Sequence, residues 1–456
     1  MFDDTIAAIS TPLGEGGLAV IRLSGHHALA VADRCFQPAG KRSLKPSTAS
    51  SHTIHYGRIM RAGQPLDEVL VAILRAPRTF TREDMVEISC HGGLLVAKLV
   101  LDTVLENGAR LAEPGEFTQR AFLNGRIDLA QAEAVADLIH ARTELALAAA
   151  NEQLAGKLSQ RINLLRDDLM DMLAHLEVQL DFPGEDIEAD TPTHLADRLK
   201  HCLAFIDELL RTAKEGQVLR QGIRAAIVGR PNVGKSSLLN QLLGHDRAIV
   251  SHIAGTTRDT IEETANIRGL PVVFIDTAGL REAQDMIEQE GVRRSHDTMA
   301  KADLILHLFD AAEPFTPEDE HYLARFAHKQ RILVRNKIDL PARLLLPENL
   351  TAPVVGVCSL SGQGLEALKD AIKELVWAGE INAEMLQVMI NSRHQDALRR
   401  GHEALQRAYD ALRADLPPEI VAMELRIGAN AVGEIVGKTA TEDLLDSIFR
   451  QFCLGK

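Results

Sequence analysis

The sequence predicts a multidomain fold of mixed α/β and α class: an N-terminal α+β domain, a helical domain, and a P-loop α/β domain inserted into the helical one. Three observations carry this prediction. The chain has 456 residues, more than one hydrophobic core serves, so two or three domains are the natural division. Its texture changes from short apolar runs to Ala- and Leu-rich helix near residue 122, and that helical texture returns near residue 382. Between the helical stretches, an apolar run at 223–228 leads straight into GRPNVGKS at 229–236 and then into amphipathic SLLNQLLG. That is the strand–loop–helix setting of a phosphate loop.

Taken in order, residues 1–120 hold the runs LAVIRLSG, EVLVAILRAP and MVEISCHGG between Gly, Pro and polar turns, a mixed α and β pattern. Residues 121–217 form the first helical part. In DLAQAEAVADLIHARTELALAAANEQL and RINLLRDDLMDMLAHLEVQL the apolar residues recur at three- and four-residue steps, and the run stops at Phe182-Pro183-Gly184. A further helix, HLADRLKHCLAFIDELLRTAKEG, leads to Gly216. Residues 218–378 alternate short β runs with helices. Residues 379–456 resume the helical pattern, broken at Pro417-Pro418. An insertion of this kind is tolerated when the ends of the insert lie close together.

Composition excludes several classes. With 64 acidic and 50 basic residues the net charge is -14, which argues against a general polyanion-binding surface while leaving a local basic patch open. The five cysteines (Cys35, Cys90, Cys202, Cys358, Cys453) are scattered without a CxxC pair, so neither a zinc site nor a disulfide framework is expected. The start, MFDDTIAAIS, lacks the basic and apolar regions of a signal peptide, and no apolar run approaches the length that spans a bilayer. A cytoplasmic protein without membrane attachment is the expectation.

The motifs of the central block arrive in one order. Glycines in GRPNVGKS let backbone N–H groups wrap phosphates, so Asn232, Val233, Gly234, Lys235, Ser236 and Ser237 are expected against the nucleotide, with Lys235 reaching the β and γ phosphates and Ser236 binding magnesium. A Gly-rich turn before a helix is the bland alternative. The polar loop SHIAGTTRD follows, where Ser251, His252, Ile253, Ala254, Gly255, Thr256 and Thr257 are expected near the phosphates and Thr257 completes the magnesium shell. The run PVVFI at 271–275 reads as a buried strand ending in DTAG. There Asp276 would hold magnesium through water, Gly279 would offer its N–H to the γ-phosphate, and Thr277 and Ala278 lie between. NKID at 336–339 comes after the strand RILVR. Its Asp339 carboxylate accepts from the N1–H and amine of guanine, Asn336 braces loop and base, and Lys337 lies between them. Adenine would leave that carboxylate unpaired, which opposes an ATP-using enzyme. Ser359, Leu360 and Ser361, after APVVGV, would close over the base. The set implies a G domain that binds and hydrolyses GTP.

One position departs from the common switch GTPases. The residue after DTAG is Leu280, which cannot orient water as a glutamine does there. The following loop carries Arg281, Glu282, Asp285, Glu288 and Glu290, each a solvated residue taken singly. No arginine finger is identifiable. Asn232 within the phosphate loop could help hold a monovalent cation, offsetting the charge that an arginine would otherwise meet.

The flanks add a resemblance. The stretches GLAVIRLSG, FTREDMVEISCHGG, EPGEFTQRAFLNGRIDLAQAEAVADLI, DFPGEDI, GRPNVGKSSLLN, IAGTTRD, DTAGLRE and terminal FCLGK resemble the MnmE (TrmE) family of tRNA-modification GTPases over essentially the whole chain. The resemblance implies work with a FAD-dependent partner, MnmG, in a heterotetramer that installs an aminomethyl or carboxymethylaminomethyl group at C5 of the wobble uridine of certain tRNAs. It implies an N-terminal domain that forms a homodimer and binds 5-formyl- or methylene-tetrahydrofolate, and G domains that pair in the presence of GTP and potassium. By motif position potassium falls to Asn232, Ser251, Ile253 and Thr256, and water positioning to Glu288. Folate contacts fall to Arg22, Glu87, Arg126 and Lys456, with Cys453 near the one-carbon unit. Ser251 stands where a relative carries threonine and Arg126 where it carries lysine; the latter keeps charge with different hydrogen-bond geometry. A switch GTPase of ribosome assembly is the rival reading, and the helical halves and FCLGK tail oppose it.

Overall fold

The computed structural model describes residues 3–40, 44–181, 191–244, 263–275, 302–347, 350–377 and 389–455, with the backbone alone for Lys214. The N-terminal region contains β1 (Ile6–Ile9), β2 (Gly16–Ser24), α1 (Ala28–Cys35), β3 (Phe36–Pro38), β4 (Thr53–Arg61), β5 (Gln64–Leu74), β6 (Met85–Gly92), α2 (Leu94–Glu106) and β7 (Arg110–Leu111). Its seven strands run in the order β3-β4-β5-β6-β2-β1-β7. Val69, Val71 and Ile73 alternate inward along β5 and meet Val31 of α1 and Val100 of α2 in one core, as a half-covered sheet requires. The pairing of β2 with β6 sets Arg22 directly opposite Glu87, so a long-range ion pair follows from register.

The run from 122 to 181, uniform in the sequence, divides into α3 (Glu116–Leu123), α4 (Leu129–His140), α5 (Glu144–Leu154) and α6 (Lys157–Asp181). The breaks have local causes. Asp128 closes a capping box with Gln131 at the start of α4, and the Thr143 side chain accepts from Ala146 N to start α5. The single helix expected over 194–216 is two, α7 (Pro192–Arg211) and α8 (Ala213–Gln221), because the Thr212 hydroxyl donates back to Leu209 O and ends α7. Beyond the central block come α12 (Ser392–Arg413), α13 (Pro418–Ile435) and α14 (Glu442–Phe449), with the gap between α12 and α13 at the proline pair. One helical core draws residues from 130–213 and from 390–436 alike. The largest of its seams join α12 to α13 and α13 to α6, through Leu405, Leu425, Val432 and Leu169.

The central block holds β8 (Ile223–Val228), α9 (Lys235–Gly244), β9 (Glu263–Ile267), β10 (Leu270–Phe274), β11 (Leu304–Asp310), α10 (Pro317–Arg325), β12 (Gln330–Asn336), β13 (Val354–Gly356) and α11 (Leu365–Val376). Its sheet order is β13-β12-β11-β8-β10-β9. The pairs are parallel except for β9 with β10, a hairpin turned by Arg268 and Gly269, both at positive φ. Buried strands read as continuous apolar runs because helices cover both faces. Leu238 and Leu242 of α9 join Leu368 and Ile372 of α11 on one side. Leu145 and Ala149 of α5 pack on that same core, Arg142 donates to the buried Thr264 hydroxyl at 2.6 Å, and Arg220 pairs with Asp137 at 2.7 Å. The β9–β10 hairpin therefore rests against the helical region.

Candidate functional site

Strand β8 ends at Val228 and the chain turns at once into the phosphate loop. Asn232 and Gly234 both take positive φ there, at 62° and 99°. Asparagine tolerates that region better than most residues. At Gly234 a side chain would be strained at φ 99° and would displace the Asn336 amide, since a Cβ would stand 2.2 Å from Asn336 Nδ2. Lys235, the first residue of α9, turns its ammonium back to donate to the carbonyls of Gly229 and Arg230, each at 2.8 Å. Burial pulls the Lys235 pKa down from its ordinary value, with Glu318 opposing. Ser236 and Ser237 follow in the first turn of α9, and the helix N-terminus directs backbone N–H groups at whatever the loop holds.

The residues expected at the base come from the far ends of β12 and β13. Asn336 is buried and donates from Nδ2 to Val233 O at 2.7 Å, while its Oδ1 accepts from Ser359 N at 3.0 Å and Ser359 Oγ at 2.8 Å. One amide thus ties the phosphate loop to the loop at 359–361. Lys337 is held by Asp310, at 2.6 Å. Asp339 and Leu360 are exposed, and Ser361 Oγ accepts from Gln363 N. Asp310, at the end of β11, is a residue that motif reading missed; its signal was the acidic residue closing the run LILHLFD. Asn232 is exposed. Ser251, His252, Ile253, Ala254, Gly255, Thr256, Thr257, Asp276, Thr277, Ala278, Gly279 and Glu288 lie outside the described residues, as does Lys456.

A second constellation joins the two ends of the chain. Arg22 pairs with Glu87 at 2.8 Å, and its Nη1 donates to Gly455 O at 3.2 Å, an oxygen that also accepts from Ser10 Oγ at 3.2 Å. Gly455 has φ 86°, and a Cβ there would stand 2.5 Å from Ile9 O. The tail is therefore seated on β1, not frayed. Phe449 and Phe452 anchor it against Leu129 and Ala132 of α4. Arg126 is occupied separately: it lies 4.9 Å over the Phe80 ring and donates to Thr79 O at 3.3 Å. Cys453 is exposed, whereas burial raises the thiols of Cys35, Cys90 and Cys202 to about 12, 11 and 12.

Two buried charged networks lie outside these sites and carry no sequence signature beyond helical spacing. Arg120, fully buried, meets Asp4 at 2.7 Å, Glu116 at 2.9 Å and Glu83 at 3.3 Å. Burial alone would raise the Glu116 carboxyl, but Arg110 and Arg120 pull it below its ordinary value. In the helical core Glu133 receives Arg393 and His394, each at 2.8 Å. Burial lowers the His394 pKa to about 4.

A family model described as the MnmE helical domain matches residues 129–453, and one described as the GTP-binding protein TrmE N-terminus matches residues 5–126. A protein of Geobacillus kaustophilus (strain HTA426) named tRNA modification GTPase MnmE is 50% identical over 461 residues, covering 99% of each chain. One of the same name from Listeria innocua serovar 6a is 49% identical over 461 residues, again covering 99% of each. Among solved structures, the G domain of the T. maritima FeoB iron transporter is 30% identical over 34% of this chain and 98% of that chain, with a TM-score of 0.26.

Proposed function

The chain belongs to the MnmE family of tRNA modification GTPases and is a GTP-hydrolysing enzyme, and from that premise we propose that it helps install an aminomethyl or carboxymethylaminomethyl group at C5 of the wobble uridine of certain tRNAs. In this reading GTP lies with its phosphates in the loop at 229–236 and its base against Asn336, Asp339 and Ser359. The observation that carries it is the Asn336 amide, which bonds both Val233 O and Ser359, so that phosphate and base contacts form one rigid unit. Gly234, pressed against that amide, leaves the close approach a phosphate needs. Ser236 and Thr257 would hold magnesium, a hard cation suited to hydroxyl oxygen, which supplies neutralisation of charge on the phosphates. Asn232, Ser251, Ile253 and Thr256 would hold potassium, and Glu288 would orient the attacking water.

The same reading has the enzyme act as a homodimer whose G domains pair, together with the FAD-dependent MnmG. Arg22, Glu87, Arg126 and Lys456 would take the tetrahydrofolate donor: a carboxylate suits the pterin edge and cations suit the glutamate tail. Support comes from the seating of Gly455, whose carbonyl accepts from Arg22 beside the Arg22–Glu87 pair. The α/β domain is read as an insert, a reading supported by the helical core that draws on both 130–213 and 390–436.

Nucleoside analysis tests the proposal. Wobble uridine from a strain lacking this protein should lose its C5 substituent and regain it with the wild-type chain. An unchanged nucleoside profile refutes the function. Glu288→Ala should lower GTP turnover by at least about 10²-fold with nucleotide binding nearly intact, and equal turnover in sodium and potassium would overturn the cation.

A further inference from the structure

Arg230 follows the first glycine of the phosphate loop, and its side chain reaches Asp319 of α10 and Glu313 ahead of that helix. There Nε donates to Asp319 Oδ1 at 2.9 Å and Nη1 pairs with Glu313 at 3.1 Å. Asp319 is fully buried. Its second oxygen accepts from Thr316 N at 3.0 Å and Thr316 Oγ1 at 2.9 Å, closing the capping box of α10. The backbone carbonyl of Arg230, meanwhile, accepts from Lys235 Nζ at 2.8 Å. Carboxylate, guanidinium, peptide and ammonium thus stand in one continuous line.

We propose that Arg230, anchored by Asp319, is a positioning residue for the nucleotide-binding lysine. The ammonium sits on a four-carbon stem with many rotamers, and its acceptors in the loop decide where it points. The loop is held at two places: Arg230 by Asp319, and Val233 by Asn336 at 2.7 Å. Between them lie Pro231, which has no N–H to offer, and the left-handed Asn232. Without the anchor at Arg230, the carbonyl that orients Lys235 can rotate, and the ammonium loses a fixed acceptor. Displacements near 1 Å at such groups cost up to about 10²-fold. The inference rests on the loop being the phosphate site.

Binding of GDP to the full-length protein tests it, read by calorimetry beside the thermal midpoint. Arg230→Met should weaken GDP binding about 10-fold, and Arg230→Lys should stay within about 3-fold of wild type, since a cation at Asp319 is retained. The decisive readout is the cycle with Lys235→Ala: in that background Arg230→Met should change GDP affinity by less than about 2-fold, because its effect passes through the lysine. An equal loss in both backgrounds, or wild-type affinity in Arg230→Met, overturns the proposal. Should Arg230→Met unfold through the unpaired Asp319, the Arg230→Met/Asp319→Asn pair removes that buried charge and carries the same cycle. If Lys235→Ala itself leaves GDP affinity unchanged, the phosphate-site reading fails and the inference falls with it. Loss in Lys235→Ala with Arg230 silent defeats the positioning role alone.

Discussion

The phosphate loop and the C-terminal tail are both turns seated against the end of a β-strand, yet they are built over different lengths of chain. Lys235 bonds carbonyls five and six residues away, whereas the partners of Gly455 O are 433 and 445 residues away. The loop closes its lysine on neighbouring carbonyls, and its outside braces, Asp319 and Asn336, both come from the same α/β block. A site that needs both termini exists only once the N-terminal sheet and the last helix have folded onto each other. The two should therefore fail independently, the first by loss of a single chemical group and the second by loss of docking.

The largest effect expected is on the nucleotide side. Asp339→Asn should reduce GTP affinity by at least about 10²-fold and shift preference to xanthosine nucleotides, because the amide can donate to the 2-oxo group of xanthine and no longer accepts from both the N1–H and the amine of guanine. Folate binding should be untouched. Unaltered GTP affinity, measured with a fluorescent nucleotide, would remove Asp339 from the base site.

Deleting residues 454–456 makes the reciprocal change. Binding of 5-formyltetrahydrofolate should be abolished in calorimetry while GTP hydrolysis stays within about 2-fold, since that truncation touches no residue of the loop at 229–236. Wild-type folate affinity in the truncated chain would exclude the tail from that site, and a parallel fall in hydrolysis would break the independence of the two regions.

A long-range contact of the helical core sharpens the comparison. Glu133→Gln leaves Arg393 short of its carboxylate partner across 260 residues, and loss of one member of a buried pair costs about 3–5 kcal/mol. Chemical denaturation should register that loss in the helical region. A change under about 1 kcal/mol would mean the contact is incidental, as many exposed pairs are.

The smallest effect is one of pH. His307 on β11 is buried, stacked on Phe309 at 4.3 Å and edge-on to Tyr322. Burial lowers its pKa from 6.5 to about 4; Asp319 opposes this and Arg331 adds to it. The unfolded chain takes up this proton below pH 6.5, while the folded chain refuses it until about 4. Stability from this group is whole above that window and falls with pH through it, at about 1.4 kcal/mol per unit. His307→Phe should flatten the dependence of the thermal midpoint between about pH 6.5 and 5, and an identical slope in the variant would assign that dependence to other groups.

Legibility followed the same division between near and far. The strand at 223–228, the glycine turn, Asn336 and the break at Pro417-Pro418 were all readable, because each is set by residues within a few positions of itself. The end of α7 at Thr212 was not, since a threonine mid-run reads as an ordinary helical residue until its hydroxyl is seen to bond Leu209 O. Arg22 and Glu87 were picked out through the family resemblance, but that they face each other is a fact of β2–β6 register. Asp319 gave no signal of its relation to Arg230, 89 residues before it.

By itself the sequence determined the chemistry that local backbone geometry enforces: a glycine where no Cβ fits, a lysine at a helix start, an asparagine and a carboxylate three residues apart after a strand end. Tertiary structure decided which distant groups meet those residues. Buried charges such as Asp319, Glu133 and Arg120 declare nothing in the sequence, because an acidic or basic residue at helical spacing is usually solvated. Only packing removes the water and makes the partner obligatory.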